Sequence, residues 1–416
     1  MNVNEIKDKV QRQALNTWFK NKCRGTLEMA TGVGKSRCGV LAADYVCKNK
    51  QDAKILIITP TETIRDDAWQ AEFEKWGCES LLESNVVRAC IQTVYKWENK
   101  HFDLVIADEI HNYIPTVKNK DYQFFKFFEN NKFDKILGLS ASIATSLMPR
   151  LWSVAPVVYK VDVQKALELG LISPFVVYNL AVNLTAEERL RYEKADAVFN
   201  KLFQIFTNRR GHRDIRVLFS CLNPVHFKKF CIHEGYSPEE YAEMKYYPHR
   251  CHQALKARKD ILYNAENKVH AIEELVNKLS DRRGIVFSQS IDFANEVYRE
   301  LGSEISTAFH SKITKKNRKK RIDDFNDLET PTRIICSAMS LNEGANLNDV
   351  SLAIIASGTS KEKDFIQRLG RSVRLQEGKE AYMIRLYIPG TKDEDWMNSS
   401  QENYHGTMID SINQIK

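Results

Sequence analysis

Short apolar runs alternate with amphipathic stretches in two separate parts of the chain. In the first third, the apolar runs lie at 54–59, 103–107 and 135–140. In the last third, they lie at 284–288, 332–336, 352–356 and 381–388. Strands that alternate with helices form parallel sheets with helices on both faces. The sequence therefore predicts an α/β protein with two parallel-sheet domains.

The length of the chain agrees with a division into domains. A single hydrophobic core rarely grows beyond about 250–300 residues, and this chain has 416. We predict a first α/β domain at 1–155, a helical connector or insert at 156–267, a second α/β domain at 268–395 and a C-terminal tail at 396–416.

Two long helical stretches, at 185–207 and 252–280, characterise the middle segment. The first opens with Thr185, and Glu188 follows three residues later, which is the spacing of a capping box. The middle segment also contains scattered cysteines and histidines, namely Cys221, His226, Cys231, His233, His249, Cys251 and His252. Zinc ligands usually come in closely spaced pairs, and these positions are irregular. We therefore favour ordinary core or surface residues over a zinc site.

Charge and cysteine content limit the setting in which the protein works. Basic residues exceed acidic ones by 61 to 54, which permits a polyanionic partner without requiring one. Nine cysteines occur without a CxxC pair, and this pattern indicates reduced thiols and a cytoplasmic location. No apolar run approaches the roughly 18–20 residues that cross a membrane. We therefore expect no membrane partner.

A glycine-rich segment at 29–36 reads Met-Ala-Thr-Gly-Val-Gly-Lys-Ser. A strict phosphate loop would have glycine in place of Met29, but the core at 32–36 is intact. Glycines allow backbone N–H groups to turn towards phosphate oxygens. Lys35 is suited to contact the β- and γ-phosphates, and Ser36 to bind Mg²⁺. The alternative is a glycine-rich turn that simply precedes a helix.

Two carboxylates, Asp108 and Glu109, directly follow the apolar run at 104–107. Carboxylates at the end of a buried strand are costly unless a cation or a hydrogen-bond donor compensates them. Asp108 is therefore a candidate Mg²⁺ ligand, and Glu109 a candidate to polarise an attacking water. The alternative is an acidic turn after a strand. In a parallel sheet, both segments would lie at the carboxyl ends of strands, where such folds bind ligands.

A third segment, Gln367 to Arg374, lies in the second predicted α/β domain. Arg371 and Arg374 are three residues apart, so on a helix they share one face. Two guanidinium groups on one face can stabilise the charge that develops during phosphoryl transfer. A solvated basic helix face or a contact with a nucleic-acid backbone explains the same pattern.

Taken in order, these segments resemble the conserved motifs of superfamily 2 helicases, and the compact XPB/UvsW-type branch in particular. The resemblance covers most of residues 8–390. The matching motifs, including the three segments above, lie at 30–36, 59–61, 92–93, 108–111, 140–142, 286–288, Ser337, 342–346 and 367–374. This sequence has Asn346 where many relatives have Asp, and Ser142 where they have Thr.

The resemblance implies two RecA-like lobes that close on ATP and Mg²⁺. It implies a catalytic set of Lys35, Asp108, Glu109, Gln367, Arg371 and Arg374. ATP would contact Gln11, which reads adenine, together with Thr31, Gly32, Val33, Gly34, Lys35, Ser36, Gly344 and Asn346. Mg²⁺ would bind Ser36 and Asp108. Nucleic-acid backbone contacts would come from Thr61, Thr93, Ser288 and Ser337.

The predicted function is therefore an ATP-dependent nucleic-acid helicase or translocase. We expect a monomer in the cytoplasm of a bacterial or phage-infected cell that acts on DNA, either single-stranded, forked or branched, in recombination, repair or replication. An RNA helicase with the same motor and the motor subunit of a restriction-type complex are the alternatives.

Two basic runs and one aromatic group each allow two interpretations. The basic runs at 208–213 and 312–321 are either solvated surface or contacts with nucleic acid. The aromatic group Phe124, Phe125, Phe127 and Phe128 is interpreted as core packing rather than as a platform for bases.

Overall fold

The computed structural model describes residues 3–62, 64–116, 122–171, 175–207, 211–338, 347, 349–357, 380–401 and 406–415. These residues form two compact units. The first is built on residues 3–176, and the second on 177–338, 352–357 and 382–415.

The first unit contains a six-stranded sheet in which every neighbouring pair of strands is parallel. Its strands are β1 Arg24–Met29, β2 Ile55–Thr59, β3 Val86–Cys90, β4 His101–Asp108, β5 Lys132–Ser140 and β6 Val157–Val161. They lie side by side in the order β3-β2-β4-β5-β1-β6. Because the strands run the same way, their carboxyl ends meet at one edge of the sheet.

Helices cover both faces of this sheet. They are α1 Val3–Lys20, α2 Lys35–Asn49, α3 Trp69–Lys75, α4 Ser80–Ser84, α5 Ile91–Val94, α6 Lys126–Asn130, α7 Met148–Val154 and α8 Val163–Glu168. Helix α1 packs through one apolar face. Val10, Ala14 and Trp18 recur every four residues and are buried on that face. The Trp18 indole N–H donates to the Ile136 carbonyl oxygen at 2.9 Å, which fixes α1 against β5.

The second unit contains a seven-stranded sheet in the order β13-β7-β12-β11-β8-β10-β9. Its strands are β7 Phe175–Ala181, β8 Arg283–Ser288, β9 Ser306–Phe309, β10 Ile334–Ala338, β11 Val350–Ile355, β12 Ala381–Tyr387 and β13 Thr407–Ile409. The pairs β8–β10, β9–β10, β11–β12 and β7–β13 are parallel.

The second unit has nine described helices longer than one turn. Several of those that come between β7 and β8 in the sequence form a hydrophobic core of their own. The helices are α9 Ala186–Phe203, α10 Ile215–Cys221, α11 Pro224–His233, α12 Pro238–Met244, α13 Tyr247–Tyr263, α14 Glu266–Lys278, α15 Ile291–Leu301, α16 Lys315–Asn326 and α17 Lys392–Gln401. The capping box predicted at Thr185 and Glu188 is present at the start of α9. The helical stretch predicted at 252–280 is divided between two helices, because α13 ends at Tyr263 and α14 begins at Glu266.

The cysteines of this helical group lie in its hydrophobic core. Cys221, Cys231 and Cys251 are buried together with Phe206 and Phe227. Burial raises the pKa of the Cys221 and Cys251 thiols to about 11, so both are protonated at neutral pH. A protonated, buried thiol is a poor metal ligand, which agrees with the interpretation as core residues.

The structure confirms the predicted fold class. Each of the seven apolar runs overlaps a strand, and two parallel-sheet units are present. Strand β7 lies inside the segment 156–267 yet belongs to the second sheet. Phe125, Phe127 and Phe128 are buried in a core beside β4 and β5, and the half-buried Phe124 packs against that core, as expected. Among the described helices, none combines the length and the apolar character that a bilayer crossing needs.

Candidate nucleotide-binding site

The carboxyl edge of the first sheet brings the predicted segments together. Strand β1 leads into the glycine-rich loop, β4 ends at Asp108, and β5 ends at Ser140. These three strands are adjacent, in the order β4-β5-β1. Asp108 is in register with Leu139, and Ser140 is in register with Glu28. Residues that are far apart in sequence are therefore neighbours on one edge.

The glycine-rich loop turns tightly from β1 into α2. Gly32 and Gly34 have φ values of 86° and 100°, a region that favours glycine. Thr31 and Val33 are buried, whereas Ser36 is half-buried at the first turn of α2. Lys35 is only 6% exposed, and its ammonium donates to the Met29 carbonyl oxygen at 2.9 Å. A helix that starts in such a loop directs its backbone N–H groups at an anion.

Gln11 packs against this loop from α1. Its side chain is buried, and its Nε2 donates to the Val33 carbonyl oxygen at 2.7 Å. A Cβ atom on Gly34 would lie 2.0 Å from that Nε2. Gly34 is therefore required both by its positive φ and by the close approach of Gln11.

The Asp108 and Glu109 pair is held by side chains from other elements. The Trp69 indole N–H donates to Asp108 Oδ2 at 3.1 Å, and the Tyr113 hydroxyl donates to the Asp108 carbonyl oxygen at 2.6 Å. Burial, reinforced by the nearby Asp108 and Glu109 carboxylates, raises the pKa of Tyr113 well above its usual value. The Tyr113 hydroxyl therefore remains a donor.

Glu109 has an unusual backbone conformation. Its φ of 50° and ψ of 49° place it in the left-handed region, which costs about 1–3 kcal/mol for a residue other than glycine. Strained conformations of this kind cluster at functional sites. Other described residues, namely Lys22, Cys23, Asn99 and Asp349, share a positive φ. The strain therefore supports Glu109 as a candidate functional residue only together with its position directly after β4.

His111 connects the acidic segment to the end of β5. Its Nδ1 lies 3.5 Å from Glu109 Oε2 and 2.9 Å from Ser140 Oγ. The Ser140 hydroxyl in turn donates to the Ser142 carbonyl oxygen at 2.8 Å. A continuous chain of contacts therefore runs from Glu109 through His111 to the segment 140–142.

The two predicted backbone-contact residues of the first unit follow neighbouring strands. Thr61 comes after β2 and is half-buried, whereas Thr93 comes after β3 and is exposed. The side chain of Gln92 donates to the Pro60 carbonyl oxygen at 3.0 Å. This bond joins the two segments at the sheet edge.

In the second unit, the hydroxyls of Ser288 and Ser337 are buried. Ser288 is 4% exposed and Ser337 is 1% exposed. The Ser288 hydroxyl contacts the Ser290 carbonyl oxygen at 2.8 Å and the Ser337 carbonyl oxygen at 3.3 Å. Neither serine therefore exposes its hydroxyl for contact with a nucleic-acid backbone. Gly344, Asn346, Gln367, Arg371 and Arg374 lie outside the described residues, as does part of the basic run at 208–213.

Several residues of this edge were not identified from the sequence. Trp69 and Tyr113 hold Asp108, and Glu28 of β1 accepts from the Ile143 backbone N–H at 3.3 Å. Glu28 is 4% exposed, with Lys160 Nζ 3.4 Å from its Oε1. A glutamate between apolar residues of a strand is a detectable signal. The partners of Asp108 are not, because they depend on tertiary packing.

Two known sequence families match the chain in the same order as the two units. Residues 4–145 match the family described as type III restriction enzyme, res subunit. Residues 267–376 match the helicase conserved C-terminal domain. Together the two matches cover more than half of the chain.

A curated relative extends the similarity over nearly the whole sequence. The DNA 3'-5' translocase XPB2 of Sulfurisphaera tokodaii is 25% identical over 410 residues, which is 93% of this chain and 84% of that protein. The chain belongs to the superfamily 2 helicases. This superfamily 2 protein is an ATP-dependent helicase or translocase, and so an ATPase that binds nucleic acid.

Solved structures of helicases share the fold. The structure of S. cerevisiae Dbp5 bound to RNA and ADP BeF3 matches with a TM-score of 0.60 at 14% identity, over 97% of this chain and 89% of that one. The Hef helicase domain of Pyrococcus furiosus matches with a TM-score of 0.52 at 16% identity, over 92% and 96%. At these identities the likeness concerns the fold alone.

Proposed function

We propose that this helicase hydrolyses ATP with Mg²⁺ at the carboxyl edge of the first sheet and uses the energy to move along DNA. One observation carries the proposal. The loop that holds Lys35 and the strained Glu109 lie at the ends of β1 and β4, which β5 joins in one parallel sheet. Parallel α/β sheets bind their ligands at this edge.

Within this site, each polar side chain has a proposed role. Lys35 would neutralise the β- and γ-phosphates, with backbone N–H groups of 31–36 around the phosphate oxygens. Gln11 would contact the adenine base. Glu109 would orient the attacking water. We also propose Gln367, Arg371 and Arg374 as partners in hydrolysis, and Gly344 and Asn346 as nucleotide contacts.

The residues at the site fit a magnesium ion. Ser36 offers a hydroxyl and Asp108 a carboxylate, and Mg²⁺ prefers oxygen ligands of this kind together with phosphate oxygens. When bound, the ion would neutralise charge on the β- and γ-phosphates. The Trp69 N–H that contacts Asp108 Oδ2 orients the carboxylate.

DNA is the proposed track, single-stranded, forked or branched, in recombination, repair or replication. The name of the archaeal relative, which describes a DNA translocase, supports this choice. Thr61 and Thr93, at the ends of neighbouring strands, are proposed to contact phosphates, so that binding would be indifferent to base sequence. For Ser288 and Ser337, whose hydroxyls are buried, the proposed contact is through the adjacent backbone.

Each of the two alternative functions is favoured by one of the comparisons. Dbp5, which shares the fold, is described in complex with RNA. The family match over 4–145 carries the name of a restriction-enzyme subunit, which favours a motor subunit within a larger complex.

We propose a cytoplasmic monomer with domains at 1–155, 156–267, 268–395 and 396–416.

Hydrolysis rates with different stimulants test the proposal. ATPase activity is measured with single-stranded DNA, duplex DNA, forked DNA and single-stranded RNA, beside unwinding of forked and four-way substrates. We expect the largest stimulation with DNA and strand separation on a fork. Stimulation by RNA alone would show that RNA, and not DNA, is the track. No stimulation by any of the four nucleic acids would contradict the proposal.

A further inference from the structure

Arg37, the residue after Ser36, lies between the phosphate loop and α1. Its Nη1 donates to Gln11 Oε1 at 2.6 Å, and its Nη2 donates to Asp8 Oδ1 at 2.8 Å. The guanidinium also lies over the Trp76 ring, with 4.1 Å between the guanidinium carbon and the ring centroid. The side chain is 17% exposed. Arg37 is therefore held on three sides and joins α2 to the start of the chain.

The Arg37 contact fixes the orientation of the Gln11 carboxamide. A carbonyl oxygen can only accept a hydrogen bond, and a guanidinium can only donate one. Val33 O therefore selects the NH₂ end of Gln11, and Arg37 selects the oxygen end. Reversing the amide would place two donors together at one end and two acceptors together at the other. Each end of Gln11 retains capacity, since NH₂ has a second proton and the oxygen a second lone pair.

An amide of fixed orientation distinguishes adenine from guanine. Adenine presents an NH₂ donor at N6 beside an acceptor at N7, and glutamine pairs with both at once. Guanine presents two acceptors, O6 and N7, on the same edge. An amide whose oxygen faces position 6 pairs with adenine and opposes the O6 of guanine.

We propose that Arg37, anchored by Asp8, is a positioning residue that orients Gln11 for selection of adenine over guanine. This inference rests on the proposed nucleotide site and adds to it the residues that determine base specificity. Arg37 acts through Gln11 and is not itself a catalytic residue.

The surroundings of Asp8 suit an anchoring role. Hydrogen bonds from Arg12 and Arg37 lower the pKa of Asp8, so the carboxylate is charged at neutral pH. Arg12 contacts Asp8 Oδ2 at 2.6 Å and is 73% exposed, whereas Arg37 contacts Oδ1 and also donates to Gln11. One carboxylate thus holds two arginines, of which the described structure joins Arg37 to Gln11. The forked guanidinium makes both contacts of Arg37 at once, which a lysine cannot reproduce.

The test compares ATP and GTP in the wild-type protein and four variants, Arg37→Met, Arg37→Lys, Asp8→Asn and Arg12→Met. KM and kcat are measured for each nucleotide with stimulating nucleic acid, and dissociation constants are measured with fluorescent ATP and GTP analogues. In Arg37→Met we expect the ratio of the GTP KM to the ATP KM to fall about tenfold, which equals about 1.4 kcal/mol. The loss should appear mainly as a higher KM for ATP. Asp8→Asn should show a smaller fall in the same ratio.

Arg12→Met is the matched control, because it removes a guanidinium from the same carboxylate without touching Gln11. We expect it to keep the wild-type ratio. If Arg37→Met fails to fold, as judged by circular dichroism, Arg37→Lys and Asp8→Asn carry the test. A wild-type ratio retained in Arg37→Lys and Asp8→Asn, or in Arg37→Met, would overturn the role of Arg37 and leave the ATPase assignment intact. A wild-type protein that hydrolyses neither nucleotide would overturn both proposals.

Discussion

A buried lysine lies near the carboxyl end of a strand in each unit, and the two lysines are held differently. In the second unit, Lys268 is 0% exposed and donates to Asp393 Oδ2 at 2.7 Å, to the Ala356 carbonyl oxygen at 2.7 Å and to the Leu262 carbonyl oxygen at 3.0 Å. All three ammonium protons are used within the unit. In the first unit, Lys35 donates to the carbonyl oxygen that ends β1, from a loop with two positive-φ glycines.

This difference supports the proposal that Lys35 binds a ligand, whereas Lys268 stabilises its unit. Lys268 ties α13, the end of β11 and α17 together, and its charge is neutralised by Asp393. Lys35 sits where the start of α2 and the glycine-rich loop favour an anion. Burial of a lysine therefore does not by itself indicate function, and the chemistry of its surroundings does.

The largest expected effect is on hydrolysis, when Lys35 is removed. Lys35→Ala should lower kcat for ATP by about 10³-fold, because a preorganised positive charge at the phosphates is lost. Binding of DNA, measured by fluorescence anisotropy without nucleotide, should change little. Hydrolysis within a few-fold of wild type would show that Lys35 is not the phosphate ligand.

Lys268→Met should instead affect stability. The change leaves the Asp393 carboxylate buried and unpaired, which typically costs about 3–5 kcal/mol. Urea unfolding followed by circular dichroism should show the loss. Lys268→Met combined with Asp393→Leu removes both charges and should recover much of it. A single variant as stable as wild type would contradict a stabilising role.

His111 links Glu109, the proposed water-orienting residue, to Ser140 at the end of the neighbouring strand, so His111→Ala should weaken the coupling between hydrolysis and movement. Coupling residues typically contribute about 0.5–2 kcal/mol, so we expect several-fold more ATP consumed per base pair unwound. The measurement is hydrolysis and unwinding in the same reaction. His101, at the start of β4, is 52% exposed, and His101→Ala is the control. Equal ratios in both variants would exclude a coupling role for His111.

The smallest effect is expected for Trp69→Phe. This change removes one hydrogen bond to Asp108, which is worth about 0.5–1.5 kcal/mol. The Mg²⁺ concentration needed for half-maximal hydrolysis should rise a few-fold. Trp97→Phe, in the same unit but away from Asp108, should leave the magnesium titration unchanged. No difference between the two variants would remove Trp69 from the site.

Features that are local in sequence were predicted, and features that depend on packing were not. The apolar runs at β2, β4 and β5, the capping box at Thr185 and the segment Asp108-Glu109 are all contiguous signals. Strand β1 was missed because Thr26 and Glu28 interrupt its apolar character. The Thr26 hydroxyl donates to the Ala155 carbonyl oxygen, and Glu28 Oε1 accepts from the Ile143 N–H. Those partner groups lie more than one hundred residues away.

The same distinction applies to the candidate site. The lysine, glycines and carboxylates are recognisable by residue type and spacing. Arg37 is not recognisable in this way, because its proposed role depends on the packing of α1 against α2. This packing brings Arg37 Nη1 within 2.6 Å of Gln11 Oε1, across 26 residues of sequence. The strain at Glu109 is likewise a property of the folded backbone.

The most direct test of the proposed site is nucleic-acid-stimulated ATP hydrolysis by Glu109→Gln beside the wild-type protein. The substitution preserves the size of the side chain and removes the carboxylate that would orient water. We predict stimulated hydrolysis in the wild type and a loss of at least about 10²-fold in the variant, with nucleic-acid binding retained. Full stimulated activity in Glu109→Gln would contradict the assignment of the nucleotide site to this edge of the first sheet.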